Sequence, residues 1–298
     1  MITTHTVSNL TIVACIITYN PDIHRLRCNI EAISPQVVQV IIIDNSSNNI
    51  SLIKTATQEF SNIHLIINAN NKGIATALNQ AVLYADSIKA EWLLTLDQDS
   101  VVPDNLIRTY QQYIEDDSIG LLCCPIFDRN VGLLSKYPIV EETEEVEECI
   151  TSASMLRISA WHKVGGFFED LFIDGVDIDF CYLIRKHGFR ILRINCIQLL
   201  HELGHSQAIT ILGKKLFLFH HPPIRCYYMT RNTLYLGIRH KCFWHFALIT
   251  IKRSFLMVGF ESDKLKKLLA IFYGIRDALL LRKLGKAPNL KIFKSKSR

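Results

Sequence analysis

The chain has 298 residues, 49% hydrophobic and 20% charged, enough apolar material for one large core plus an appendage, which excludes a disordered chain. The formal net charge of +5 conceals an asymmetry: residues 1–213 carry 14 Lys and Arg against 25 Asp and Glu, whereas residues 214–298 carry 19 against 3. The two parts face different partners, and nucleic acid is excluded because no recognised binding module accompanies the basic stretch.

The first residues hold no basic region followed by a signal-like apolar run, so export is not expected. Nine cysteines, an odd number without a Cys-x-x-Cys pair, fit reduced core thiols in the cytosol. Strand-like runs follow at 11–18, 38–43, 63–67, 91–96 and 119–127, with helical patterns at 23–33, 50–60 and 74–85 between the first four. This alternation predicts an α/β fold with a mainly parallel sheet and helices on both faces. Pro103 is expected to open the next helix, where its missing N–H costs nothing. The acidic run at 141–148 reads as a solvated loop or as a lid near a site.

The ends of the early strands are polar. The first ends in Thr18, Tyr19 and Asn20, and the second in Asp44. Asn71, Lys72 and Gly73 follow the third, with Gly73 opening a helix, and the fourth ends in Asp97, Gln98 and Asp99. In a parallel sheet these ends share one edge, the place where open α/β sheets bind ligands. Two neighbouring carboxylates there suit a hard cation, Mg²⁺ or Mn²⁺, that keeps positions open for phosphate oxygens. Lys72 and a helix N-terminus oppose diphosphate charge. Taken singly, each of these residues also reads as a turn or cap residue.

Five segments, IITYNP (16–21), VIIIDNSS (40–47), NKGIATALNQAV (71–82), LLTLDQDS (93–100) and GGFFEDLFIDGVDIDFCYLIRKHG (165–188), together resemble family 2 glycosyltransferases of the GT-A fold. The form DQDS with FIDGVDIDF resembles the branch of rhamnosyltransferases that use dTDP-L-rhamnose to build bacterial surface polysaccharides. The resemblance implies that Asp44 contacts the nucleobase, that Lys72 lies near the nucleotide, and that Asp97 and Asp99 hold the diphosphate and metal. It implies Asp177 as general base in an inverting displacement. Many family members carry Glu-Asp where this chain has Val176-Asp177, so Asp174 and Asp179 are further candidates for acceptor binding. From the helical period, Asp174, Asp177, Phe180 and Cys181 share a face and Asp179 points elsewhere.

His201 to His205 matches His-Glu-x-x-His, but the preceding residues 190–200 read as a strand and Gly204 interrupts the motif, which disfavours the helix a zinc hydrolase needs. His201 instead reads as a further metal or diphosphate ligand at a strand end, or as a packed histidine. RCYYMTRN (225–232) resembles the family's R-x-Y-Y-x-x-R-N stretch, and Arg225 and Arg231 read either as anion contacts or as a bridge to the acidic part. The last 57 residues interleave Lys and Arg with Leu, Ile, Phe and Trp. Two readings stand for them, a pair of interfacial helices on an anionic inner membrane and a helical hairpin with a solvated basic face.

The expected organisation is a catalytic domain at 1–225 and a basic helical region at 226–298. The resemblance implies a cytoplasmic, peripherally membrane-bound enzyme moving L-rhamnose to a lipid-linked oligosaccharide acceptor in O-antigen assembly. A glycosyltransferase using UDP-glucose or UDP-galactose and a sugar nucleotidyltransferase are the alternatives.

Overall fold

The computed structural model describes residues 11–128, 132–133, 141–201, 207–211, 214–218 and 220–284. The described residues fall into two compact units, those within Met1–Phe167 and Phe180–Glu202, and those within Phe168–Asp179 and Leu203–Arg298. The boundary expected after residue 225 falls inside a helix, and the units interleave in sequence.

In the first unit, β1 (Ile12–Thr18), α1 (Ile23–Ile33), β2 (Gln39–Asp44), α2 (Ile50–Thr57), β3 (Ile63–Ile67), α3 (Ile74–Ser87) and β4 (Trp92–Asp97) follow the expected alternation. They continue through α4 (Leu106–Tyr110), β5 (Ile119–Cys123), β6 (Ile126–Asp128), β7 (Gly132–Leu133), β8 (Thr143–Glu145), β9 (Ser154–Arg157) and α5 (Ile158–Val164). After α6 (Val176–Lys186) come β10 (Arg190–Ile194) and β11 (Leu199–His201). Eight strands form one sheet in the order β3-β2-β1-β4-β9-β5-β10-β8. The β3-β2-β1-β4 half is parallel throughout, and β9 runs antiparallel between β4 and β5.

Strand β1 explains why the sheet is covered on both sides. Ile12, Ala14 and Ile16 join a core with Leu26, Ile30 and Ile33 of α1, Ile53 of α2 and Tyr110 of α4. Val13 and Cys15 point the opposite way and are also fully buried, and α3 packs on β1, β2 and β4. An unbroken apolar run is therefore what a central parallel strand requires.

Four expectations change in detail. The run at 119–127 divides into β5 and β6, which belong to different sheets, because Pro125 between them lacks the N–H a ladder needs. The run at 190–200 likewise divides into β10 and β11. Pro103 does not open α4: its carbonyl accepts from Leu106 N in a turn, and the helix starts at Leu106. Part of the acidic run is not loop but the edge strand β8, where Glu144 and Glu145 face the arginines of β10 in the pairs Glu144–Arg193 and Glu145–Arg190.

In the second unit, β12 (Gln207–Ile211) and β13 (Lys214–Leu218) form an antiparallel pair. Helix α7 (Pro223–Arg239) packs against both α8 (Phe243–Phe260) and α9 (Lys264–Leu284). Cys226, Tyr227, Met257 and Ala270 form their core. Two buried polar pairs join the helices, Lys267 with Glu261 and the Tyr227 hydroxyl with Asp277 Oδ2 at 3.0 Å. No helix of the described residues is long and apolar enough to cross a membrane.

Candidate active site

The C-terminal ends of β1, β2, β3 and β4 lie side by side, since Thr18 pairs with Asp44, Asp44 with Ile67, and Ile17 with Asp97. Thr18, Tyr19, Asn20, Asp44, Asn71, Lys72, Gly73, Asp97, Gln98 and Asp99 thus gather along one sheet edge, as the strand pattern requires. Hydrogen bonds tie the loops together. Tyr19 N donates to Gln98 Oε1 at 2.9 Å, Asn20 N to Ser47 Oγ at 2.7 Å, and Asn48 N to Asn20 Oδ1 at 2.8 Å. Gly73, at φ 85°, caps α3 in a conformation that only glycine adopts freely, and its N–H donates to Asn71 Oδ1.

Asp44 differs from the expectation of a base contact. It is fully buried, with Oδ1 accepting from the Thr18 hydroxyl at 3.0 Å and from Ser47 Oγ, and Oδ2 accepting from Ser47 N at 2.9 Å. In this conformation it shapes the 44–47 loop and offers the edge no accessible oxygen. Tyr19, Asn20 and Lys72 are exposed, and Asp97, Gln98 and Asp99 are partly exposed, so these are the groups a ligand can reach.

Asp97 and Asp99 fit a divalent cation by their chemistry: two hard carboxylate donors, partly open to solvent, at the end of a rigid strand. Among the described residues no group of three or more His, Cys, Asp or Glu forms a closed metal cage. A two-carboxylate site leaves coordination positions for phosphate oxygens. The backbone of β11 bridges Leu200 to Val101, which brings the strand end at His201 beside the segment that follows Asp99. The His201 side chain and the rest of the His-Glu-x-x-His motif lie outside the described residues.

In the second unit, Asp174 lies just before α6, at φ 64°, and so does not share a helical face with Asp177 as its spacing predicted. Its Oδ1 accepts from the Arg225 guanidinium at 3.2 Å. Asp177 lies in the first turn of α6 and is partly exposed. Asp179 is only 1% exposed, and its Oδ1 accepts from His240 Nε2 at 2.7 Å and from Arg239 Nε at 2.9 Å. The end of α7 holds this carboxylate away from solvent. Arg231, also 1% exposed, turns its guanidinium to the carbonyls of Asp170 and Leu171 and lies 4.9 Å from the Tyr228 ring. It is a buried brace; Arg225, 44% exposed, keeps the accessible cationic head.

Several residues that organise the edge escaped the sequence reading. Asn29 Nδ2 donates to the carbonyl of Asp97 at 2.7 Å, and the Asp97 N–H donates to Ser152 Oγ at 3.3 Å. Asn45 Nδ2 donates to the Gly73 carbonyl, and Asn68 joins Asn45 to Gln80. The available signal was a polar residue on a core face: Asn29 shares the buried stripe of α1 with Leu26, Ile30 and Ile33.

Residues 13–189 match the model of the family described as Glycosyl transferase family 2. The chain is 27% identical over 296 residues to dTDP-rhamnosyl transferase RfbF of Shigella flexneri, an alignment covering 90% of this chain and 96% of the relative. Among solved structures, GalNAc-T7 with UDP, GalNAc and Mn²⁺ superposes with a TM-score of 0.57 at 13% identity, covering 92% of this chain and 57% of that one. Residues 1–349 of Staphylococcus aureus TarS in complex with UDP-GlcNAc give 0.54 at 13% identity, covering 90% and 81%. These structural likenesses place the fold as GT-A.

Proposed function

We propose that this chain, which belongs to glycosyl transferase family 2 and is a glycosyltransferase, moves L-rhamnose from dTDP-L-rhamnose to a lipid-linked glycan acceptor with inversion at the anomeric carbon. The observation that carries the donor assignment is the likeness to a dTDP-rhamnosyl transferase along nearly the whole of both chains. The edge residues of the first unit support a nucleotide-sugar site. In this reading Tyr19, Asn20 and Gln98 line the nucleotide, Asp44 acts through the 44–47 loop, and Lys72 with the N-terminus of α3 opposes the diphosphate. Asp97 and Asp99 hold Mg²⁺ or Mn²⁺, with His201 as a further ligand. When bound, the cation offsets the negative charge that develops on the departing nucleoside diphosphate.

Asp177 accepts the proton of the acceptor hydroxyl as that oxygen attacks the anomeric carbon, and Asp174 with Arg225 contacts the acceptor. The tail supports an anionic membrane surface as the place of reaction. On α8, Trp244, Leu248, Ile251 and Phe255 form one exposed apolar stripe, with Trp244 79% exposed. Leu265, Leu269, Phe272 and Leu279 form another on α9. Of the three carboxylates in residues 214–298, Glu261 and Asp277 are buried in polar pairs, so Asp263 alone remains exposed among many Lys and Arg. An enzyme of O-antigen or related polysaccharide assembly on the cytoplasmic face of the inner membrane meets all of these conditions.

The test is calorimetric titration of the full chain with dTDP-L-rhamnose and with UDP- and GDP-sugars, with and without Mn²⁺, on wild type and Asp99→Ala. Metal-dependent preference for dTDP-L-rhamnose, lost in the variant, is the expected result. Preference for another donor would discard the rhamnosyl assignment, and no binding by any donor to the folded protein would overturn the donor site. Asp177→Asn is expected to keep donor affinity and to lose transfer.

A further inference from the structure

At the end of the stretch RCYYMTRN, Arg231 and Asn232 are buried and both bond to the backbone of one segment, residues 170–174. We infer that α7 is a clamp on the turn before Asp177, and that Asn232 is a positioning residue for the transfer reaction; this rests on the reading of Asp177 as the base.

The turn is an unusual piece of backbone. Phe172 has φ 66° and ψ −63°, and Ile173 N donates to Leu171 O at 2.8 Å. This is a γ-turn of the rarer, strained sign. Asp174 and Gly175 follow at φ 64° and 83°, and α6 begins at the next residue. Two of the three positive-φ residues carry a Cβ, so the conformation is locally unfavourable and persists only where its surroundings over-determine it.

Helix α7 supplies that determination. Asn232, 1% exposed, directs Nδ2 at three carbonyls of the turn: Leu171 at 2.8 Å, Ile173 at 2.6 Å and Asp174 at 2.8 Å. Its Oδ1 accepts from Arg231 Nε at 2.7 Å, which fixes the amide so that its hydrogens face the carbonyls. Arg231 adds its own bonds to the carbonyls of Asp170 and Leu171. Three backbone oxygens converging on one buried point repel one another without a shared donor, and an amide is the smallest neutral side chain with two N–H groups. The packing agrees, since a Cβ on Gly175 would come within 2.9 Å of Leu236 Cδ1 one turn further along α7. Phe172 also stacks on Tyr228 with centroids 5.1 Å apart. The strained turn thus fixes where α6 starts, and so where Asp177 projects.

Asn232→Asp removes the donors while keeping the shape, and Thr250→Val serves as the control, because it loses a buried bond to the Phe246 carbonyl within α8. The first readout is amide hydrogen exchange of residues 168–179, which needs no substrate. Faster exchange there in Asn232→Asp but not in Thr250→Val is expected; unchanged exchange would overturn the clamp. The second is steady-state transfer: kcat is expected to fall about a hundredfold in Asn232→Asp with donor affinity by calorimetry unchanged, as a displaced reacting group requires. A normal kcat in Asn232→Asp would overturn the positioning role. A wild-type protein without transfer would instead strike at the reading of Asp177, and the exchange result would still decide the clamp.

Discussion

The side-chain amide of Asn29, in the middle of α1, donates to the main-chain carbonyl of Asp97 at 2.7 Å, across 68 residues of sequence. It anchors the main chain that carries the first carboxylate of the Asp-x-Asp pair. The other end of the same amide, Oδ1, is buried with no hydrogen-bond partner among the described residues. A half-satisfied polar group on an apolar helix face costs stability, which argues that its value lies in holding Asp97.

Asn29→Leu tests this. Removing the unmet oxygen offsets the loss of the bond to Asp97, so the denaturant midpoint is expected to move by no more than about 1 kcal/mol in ΔG. Metal-dependent nucleotide-sugar binding is expected to weaken roughly tenfold as the carboxylate loses its fixed position. Chemical denaturation and calorimetry on the same preparation separate the two effects.

Gly175 sits at φ 83° with Leu236 in the space a side chain would need. Gly175→Ala combines backbone strain with overpacking and is expected to cost about 1–3 kcal/mol. A thermal melt measures it, and an unchanged midpoint would mean that the turn relaxes at little cost.

Burial, and then repulsion from Arg225, holds His221 below the ordinary histidine value of 6.5, with Asp174 and Glu261 opposing. A base with a lowered folded pKa binds its proton more readily in the unfolded chain. Its contribution to stability is therefore complete above about pH 6.5 and declines as the pH falls toward the lower folded value. The melting temperature of wild type is expected to drop more steeply than that of His221→Asn as the pH is lowered from about 7.5 to 5. Parallel curves would contradict it.

The exposed stripe on α8 predicts how the tail meets lipid. Replacing Leu248 and Phe255 by Ser is expected to lower binding to vesicles of phosphatidylglycerol by at least about tenfold, since each buried side chain contributes roughly 1.5–3 kcal/mol. Binding of wild type is expected to weaken as salt is raised. Cosedimentation reads both, and wild type that fails to pellet with vesicles would remove the membrane surface from the proposal.

The sequence by itself determined the sheet and the edge along which its polar strand ends gather. Apolar runs ending in polar residues can be satisfied only by buried parallel strands, and parallel strands put all such ends on one side. Asp97, Asp99, Lys72 and Tyr19 were legible for that reason, as were the helix between β1 and β2 and the basic character of the tail. Smaller departures followed from single residues read too lightly, such as Pro125 dividing one strand into β5 and β6. Tertiary structure alone decided which polar residues are accessible and which are braces. Asp44, Asp179 and Arg231 have the composition of ligand contacts but are buried among partners brought from elsewhere in the chain: Thr18 from 26 residues away, His240 from 61, and the Leu171 carbonyl from 60. Residue type and local spacing carry hydrogen-bonding capacity, but what satisfies that capacity depends on non-local packing, and only the folded chain specifies it.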